Sequence, residues 1–167
     1  MQISTEAIKQ LREETRAGVI DCKNALIESG GDVEKARQIL TKRGIAIAQK
    51  KADRIAEQGL IESYIHLGGK VGTMVEMNCE TDFVAKTDEF KELAHDLALQ
   101  IAAMAPLYIS PDEVPPESEV DPNTVCLLLQ PFIKDQDKTI QDIITETIAK
   151  VGENIKVRRF TRFELGC

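Results

Sequence analysis

Four cysteines in 167 residues are too few for a disulfide framework, and Cys22, Cys79, Cys126 and Cys167 form no Cys-x-x-Cys pair with zinc-ligand or redox spacing. Reduced thiols follow. Without such staples the chain must rely on its core, which 167 residues with 43% hydrophobic content are able to build. Apolar runs never exceed a few residues, which speaks against a membrane span. Met1 to Glu6 carries neither a basic leader nor an apolar signal core, so a cytoplasmic protein is expected. Histidine is also scarce: His66 and His95 have no nucleophile or metal partner at a recognisable spacing. Leu67-Gly68-Gly69-Lys70-Val71 is no Walker A loop, because Tyr64 and Val71 stand where that pattern needs Gly and Ser or Thr. The carboxylate pairs Asp88/Glu89 and Glu117/Glu119 fall at a helix start and in a loop, where solvated charge explains them. No catalytic residue, metal site or cofactor is expected, and the chain does not read as an enzyme.

The net charge of −7 is unevenly spread. Residues 1–54 hold 11 Lys/Arg against 8 Asp/Glu, whereas residues 55–167 hold 10 against 20. An acidic chain of this kind is a poor generic nucleic-acid binder, since phosphate attraction needs concentrated positive charge. The basic Lys42 to Arg54 stretch reads as a solvated linker helix rather than an RNA site, and the basic N-terminal part suits an acidic protein partner.

The periodicity divides the chain into a small helical domain, 1–54, and an α+β core, 55–167. Ser4 or Thr5 caps a first helix with Ala7, Ile8 and Leu11 on one face, ending at Arg16-Ala17-Gly18. A second runs from Val19 through Cys22, Ala25 and Leu26 to Gly30-Gly31. Asp32 caps a third, carrying Val33, Ala36 and Leu40 and stopping at Gly44, with an exposed connecting helix beyond. The core opens with a hairpin about Gly68-Gly69-Lys70. A three-residue turn there would put Ile61, Ser63, Ile65 and Leu67 on one buried face with Val71, Thr73, Val75, Met77 and Cys79. Thr87 caps a long helix with Phe90, Leu93, Leu97, Ile101 and Met104 inward, and Ser110 to Thr124 reads as an exposed loop. Thr139 opens another helix, with Ile140, Ile143, Ile144, Thr147 and Ile148 inward and Gly152 as its stop. The last segment, Asn154 to Leu165, alternates as a strand with Ile155, Val157, Phe163 and Leu165 on its apolar face.

Two stretches exceed a structural need. In Leu11 to Lys23, adjacent Val19 and Ile20 cannot both point into a tiny core, so either one joins an exposed apolar patch beside Arg12 and Lys23 or it packs locally as a staple. In Glu76 to Lys86, Asp82 and Phe83 sit on a strand-to-helix joint. Either they enter a partner, or Phe83 tucks under the helix and Asp82 caps it. The residues alone leave both pairs of readings open, and a general adaptor that binds proteins through Val19 and Ile20 is consistent with them.

Leu-Arg-Glu-x-Thr-x-Ala-Gly-x-x-Asp-Cys-Lys-x-Ala-Leu at 11–26 and Glu-x-Asn-Cys-Glu-Thr-Asp-Phe-Val-Ala-Lys at 76–86 resemble the two signature regions of bacterial elongation factor Ts. The likeness continues through Gln130 to Asp135 and Val157 to Gly166. It implies a ubiquitin-associated-like three-helix domain followed by an antiparallel-sheet core packed with helices. It also implies a guanine-nucleotide exchange factor for elongation factor Tu in translation elongation. Thr81, Asp82, Phe83 and Val84 would form the element that enters the GTPase, with Phe83 as wedge and Asp82 disturbing the Mg²⁺ and phosphate site. Arg12, Val19, Ile20 and Lys23 would form the N-terminal contact. The chain has sequence for only one core subdomain, as in the short forms, where a homodimer supplies the second copy. A charged helical segment that the family carries ahead of Cys126-Leu127-Leu128-Leu129-Gln130-Pro131-Phe132 is missing, and terminal Cys167 reads as a free thiol rather than a cross-link.

Overall fold

The computed structural model describes residues 3–166. Cys167 and the first two residues of the Met1 to Glu6 segment lie outside that range. The described residues form two compact units, one from the N-terminus to Asp53 with Thr145–Glu153, the other Arg54–Ile144 with the chain from Asn154 onward. The boundary expected after residue 54 falls one residue beyond the first break, and Thr145–Glu153, which holds the later part of the last helix, is grouped with the first unit.

In the first unit, helix α1 (Thr5–Thr15) starts where Ser4 Oγ accepts the Ala7 N–H at 3.1 Å and ends where Arg16 takes a left-handed conformation. Helix α2 (Val19–Glu28) ends before the positive-φ pair Gly30 and Gly31. Helix α3 (Val33–Lys51) starts where Asp32 Oδ1 accepts the Lys35 N–H at 3.0 Å. Leu11, Cys22, Ala25, Leu26 and Ala36 are fully buried between the three, with Ala7, Ile8, Val33 and Leu40 packed round them. Gly44 is not a stop. It lies buried within α3, where an added Cβ would meet Ala149 at 3.7 Å. A helix-interior glycine costs about 1 kcal/mol relative to alanine, a local penalty that does not end this helix.

In the second unit, β1 (Gln58–Ile65), β2 (Val71–Cys79) and β5 (Ile155–Glu164) form an antiparallel sheet in the order β1-β2-β5. Helix α5 (Asp88–Met104) covers one face, burying Phe90, Leu97 and Ile101 with Val75 and Met77, and Thr73 Oγ1 donates to the Ala98 carbonyl at 2.9 Å. The hairpin register differs from expectation by one residue. The turn spans four residues, Leu67 to Lys70, closed by His66 N–H to Val71 O, and Ile65 pairs with Gly72 and Ile61 with Glu76. A one-residue slip exchanges the faces of a strand, so Leu60, Glu62 and Tyr64 accompany Thr73, Val75 and Met77, while Ile61, Ile65 and Leu67 are exposed.

Strand β5 departs in the same way. A bulge opposite Glu76 and Met77 inserts Arg158, so Ile155 and Val157 share a face with Phe160 and Arg162. Phe163 and Leu165 are exposed rather than inward. Met104, placed inward by periodicity, is also exposed at the end of α5.

The remaining elements are short. After β2 comes α4 (Asp82–Ala85); the Ser110 to Thr124 stretch holds a turn at Pro111–Glu113 and the start of α6 (Pro122–Val125). Cys126 bridges Tyr108 in parallel, and a two-stranded hairpin, β3 (Pro131–Phe132) with β4 (Asp135–Thr139), precedes α7 (Ile140–Val151). Buried Gln130 ties this region down: its Nε2 donates to the Thr124 carbonyl at 2.7 Å and its Oε1 accepts from Gln100 Nε2 at 3.3 Å. The fold is α+β, with an antiparallel sheet packed against helices.

Candidate functional site

Helix α4 begins two residues after β2 and has only four residues, too short to hold itself together. Thr81 provides its N-cap, its Oγ1 accepting the Val84 N–H at 3.4 Å, so the cap is Thr81 and not Asp82. Val84 and Ala85 turn inward and are buried. Phe83 does not tuck under a helix: 79% of its surface is open to solvent. Asp82 is exposed beside it and accepts from Lys86 Nζ at 2.6 Å. That ammonium holds the Asp82 carboxyl below the usual carboxylate range. Of the four expected residues, Asp82 and Phe83 thus face outward, Val84 anchors the turn from behind, and Thr81 closes its start.

The joint is braced further. Cys79 Sγ donates to the Thr81 carbonyl at 3.1 Å. Glu80 Oε1 accepts the Asn154 backbone N–H at 2.7 Å, and Asn154 Nδ2 donates to the Arg54 carbonyl at 2.8 Å. Beyond the turn, Thr87 Oγ1 donates to the Val84 carbonyl at 2.7 Å and accepts the Phe90 N–H at 3.3 Å, linking the joint to the first turn of α5.

In the first unit, α2 presents a second candidate surface. Val19 and Ile20 are both exposed, at 50% and 73%, where only one had been expected outside the core. Lys23 follows on the same exposed side, and so does Ile27, exposed at 55%. Ile27 escaped the sequence reading although its spacing from Ile20, seven residues, is the helical repeat that signals it. Arg12 is exposed on α1. Cys22, on the buried face of α2, has its thiol pushed up by burial, as has Cys126 in the second unit.

His66 and His95 each contact Tyr64: the Tyr64 hydroxyl lies 3.0 Å from His66 Nδ1, and its ring stands edge-on to His95 at 6.0 Å. His95 Nδ1 is 3.3 Å from Glu62 Oε1. Among the described residues no group of three or more His, Cys, Asp or Glu is placed to hold a metal ion, and no helix is long and apolar enough to cross a membrane.

The sequence matches the family model of Elongation factor TS over residues 1–123. It is 50% identical to Elongation factor Ts of Carboxydothermus hydrogenoformans, an alignment covering 98% of this chain and 89% of that protein. It is 49% identical to the Elongation factor Ts of Thermotoga petrophila, covering 99% and 98%, and 48% identical to that of Heliobacterium modesticaldum, covering 98% and 90%. Each alignment spans 194 positions, more than the 167 residues here, so these relatives carry segments this chain lacks. With both signature stretches in place and similarity over nearly its whole length, the chain belongs to the elongation factor Ts family of translation elongation factors.

Proposed function

We propose that this protein is a guanine-nucleotide exchange factor: it binds GDP-bound elongation factor Tu, inserts Phe83 with Asp82, and loosens the Mg²⁺ and phosphate site so that GDP leaves and GTP enters. The observation that carries this reading is the exposed Phe83 on a turn anchored by buried Val84 and Ala85. An aromatic side chain held out from a fixed base suits a role as an anchor in a partner's pocket. Asp82, its carboxyl held below the usual range by Lys86, brings a negative charge to the same place. The exposed apolar stripe of Val19, Ile20 and Ile27 with Lys23 supports docking of the first unit on the GTPase, to which exposed Arg12 on α1 would contribute.

The protein makes and breaks no bond in this scheme and needs no cofactor. A factor that prefers nucleotide-free GTPase over its GDP form must weaken GDP binding by the same coupling factor, and GTP then enters by mass action. It works in the cytoplasm on a protein partner, without direct nucleic-acid contact. Two copies pair in the same proposal, through the sheet face opposite α5, where Ile61, Ile65, Met74 and Phe163 form an exposed apolar cluster.

Calorimetric titration into elongation factor Tu tests the linkage. Affinity for nucleotide-free GTPase should exceed affinity for the GDP-loaded form by the factor through which the protein weakens GDP binding. Equal affinities for the two forms would contradict the exchange reading.

A further inference from the structure

We infer that Glu80 is a positioning residue for Phe83, acting through the Asn154 backbone amide; the inference rests on the exchange reading for its consequence but not for its geometry. Phe83 itself has almost no packing to orient it. A four-residue helix cannot fix its own direction, because the bonds of a single turn do not repay the ordering of its residues. The direction of the side chain is therefore set at the base of the turn.

Glu80 dominates that base. It stands between the last residue of β2 and the Thr81 cap, and its side chain is only 21% exposed, with its carboxylate engaged by Asn154 and Arg54. One oxygen takes the Asn154 N–H at 2.7 Å; the other lies 3.5 Å from the Arg54 guanidinium. Asn154 is buried, 2% exposed, and reaches on to the Arg54 carbonyl. One carboxylate thus ties the β2-to-α4 joint to the segment ahead of β1 and to the start of β5. With the carboxylate engaged in this way, Glu80 acts on exchange through the placement of Thr81 to Lys86. Preorganisation of this kind is valuable because a small displacement of an inserting group removes much of its effect.

Two conservative variants separate reach from charge. Glu80→Asp keeps the charge but is one methylene too short to hold the Asn154 amide; Glu80→Gln keeps the reach and the acceptor oxygen. Amide hydrogen exchange by NMR on the full chain should show faster exchange at Val84, Ala85, Lys86 and Thr87 in Glu80→Asp, with Leu97 and Ile101 in α5 unchanged, and near wild-type rates throughout in Glu80→Gln. GDP release from elongation factor Tu at saturating factor should slow roughly tenfold in Glu80→Asp. It should slow no further when Glu80→Asp is added to Phe83→Ala, since a misplaced wedge and an absent one are equivalent. Unchanged amide exchange in Glu80→Asp would overturn the proposal, as would an equal slowing with and without Phe83. Wild-type protein that leaves GDP release untouched would defeat the exchange reading instead, and the amide rates would still decide whether Glu80 fixes the turn.

Discussion

Lys86 Nζ sits 2.6 Å from Asp82 Oδ2, one helical turn along from it and on the exposed side of α4. The pair lowers the Asp82 pKa further and partly orients the carboxylate beside Phe83. Its strength in water is modest, because both groups are solvated.

The pair has a titration signature. Hydrogen bonding from Lys86 depresses the Asp82 pKa, so its contribution to stability is complete above the unfolded-state aspartate pKa of about 3.9 and is lost as pH falls through the lower folded value. A ¹³C NMR titration of the Asp82 carboxyl should give a midpoint below the ordinary aspartate range in wild type and a higher one in Lys86→Met. Identical midpoints would mean that Lys86 does not hold the carboxylate.

Gly44→Ala should stabilise the protein. Gly44 lies inside α3 without a positive φ, and the added methyl would meet Ala149 at an ordinary contact distance of 3.7 Å. Removing the unfolded-state entropy of glycine and filling this contact should add up to about 1 kcal/mol in urea denaturation. A loss of stability would show that the site has no room for the methyl.

Gln130→Leu should be costly despite its similar bulk. It would strip the Thr124 carbonyl of the 2.7 Å bond from Gln130 Nε2 and leave the Gln100 amide with the Pro131 carbonyl alone of its two acceptors, in a buried region. A loss of about 1–3 kcal/mol is expected from chemical denaturation. Wild-type stability would show that the glutamine pair is dispensable.

Ile65→Glu combined with Phe163→Glu tests the proposed pairing of two copies. These residues flank Gly72 on the open face of the sheet, and neither contributes to the buried core. Sedimentation velocity should show a dimer for wild type and a monomer for the double variant, with unchanged circular dichroism. A monomeric wild type would remove the sheet face as a dimer interface.

The parts of the fold legible in the sequence are those with local causes. Ser4, Asp32 and Thr87 announce helix starts because each accepts an N–H three residues on, a bond set by nearest-neighbour chemistry. Misreadings arise where distant contacts decide. Gly44 carries the local mark of a stop, yet its helix runs on to Lys51, with Gly44 itself buried against Ala149, 105 residues away in the chain. Ile61 and Ile65 look like core residues until a four-residue turn fixes the register, and Phe163 until the bulge at Arg158 reverses the alternation. At the candidate site, the motif located Asp82 and Phe83. Glu80 escaped notice because its partner, Asn154, lies 74 residues away.

Release of a fluorescent GDP analogue from elongation factor Tu, with wild-type protein, Asp82→Ala and Phe83→Ala, tests the central claim most directly. Phe83 is 79% exposed, so its truncation should change stability by no more than about 0.5 kcal/mol and leave the circular dichroism unaltered. The account predicts rapid GDP release with wild type and a large loss of that acceleration in both folded variants. Release by folded Phe83→Ala at the wild-type rate would contradict it.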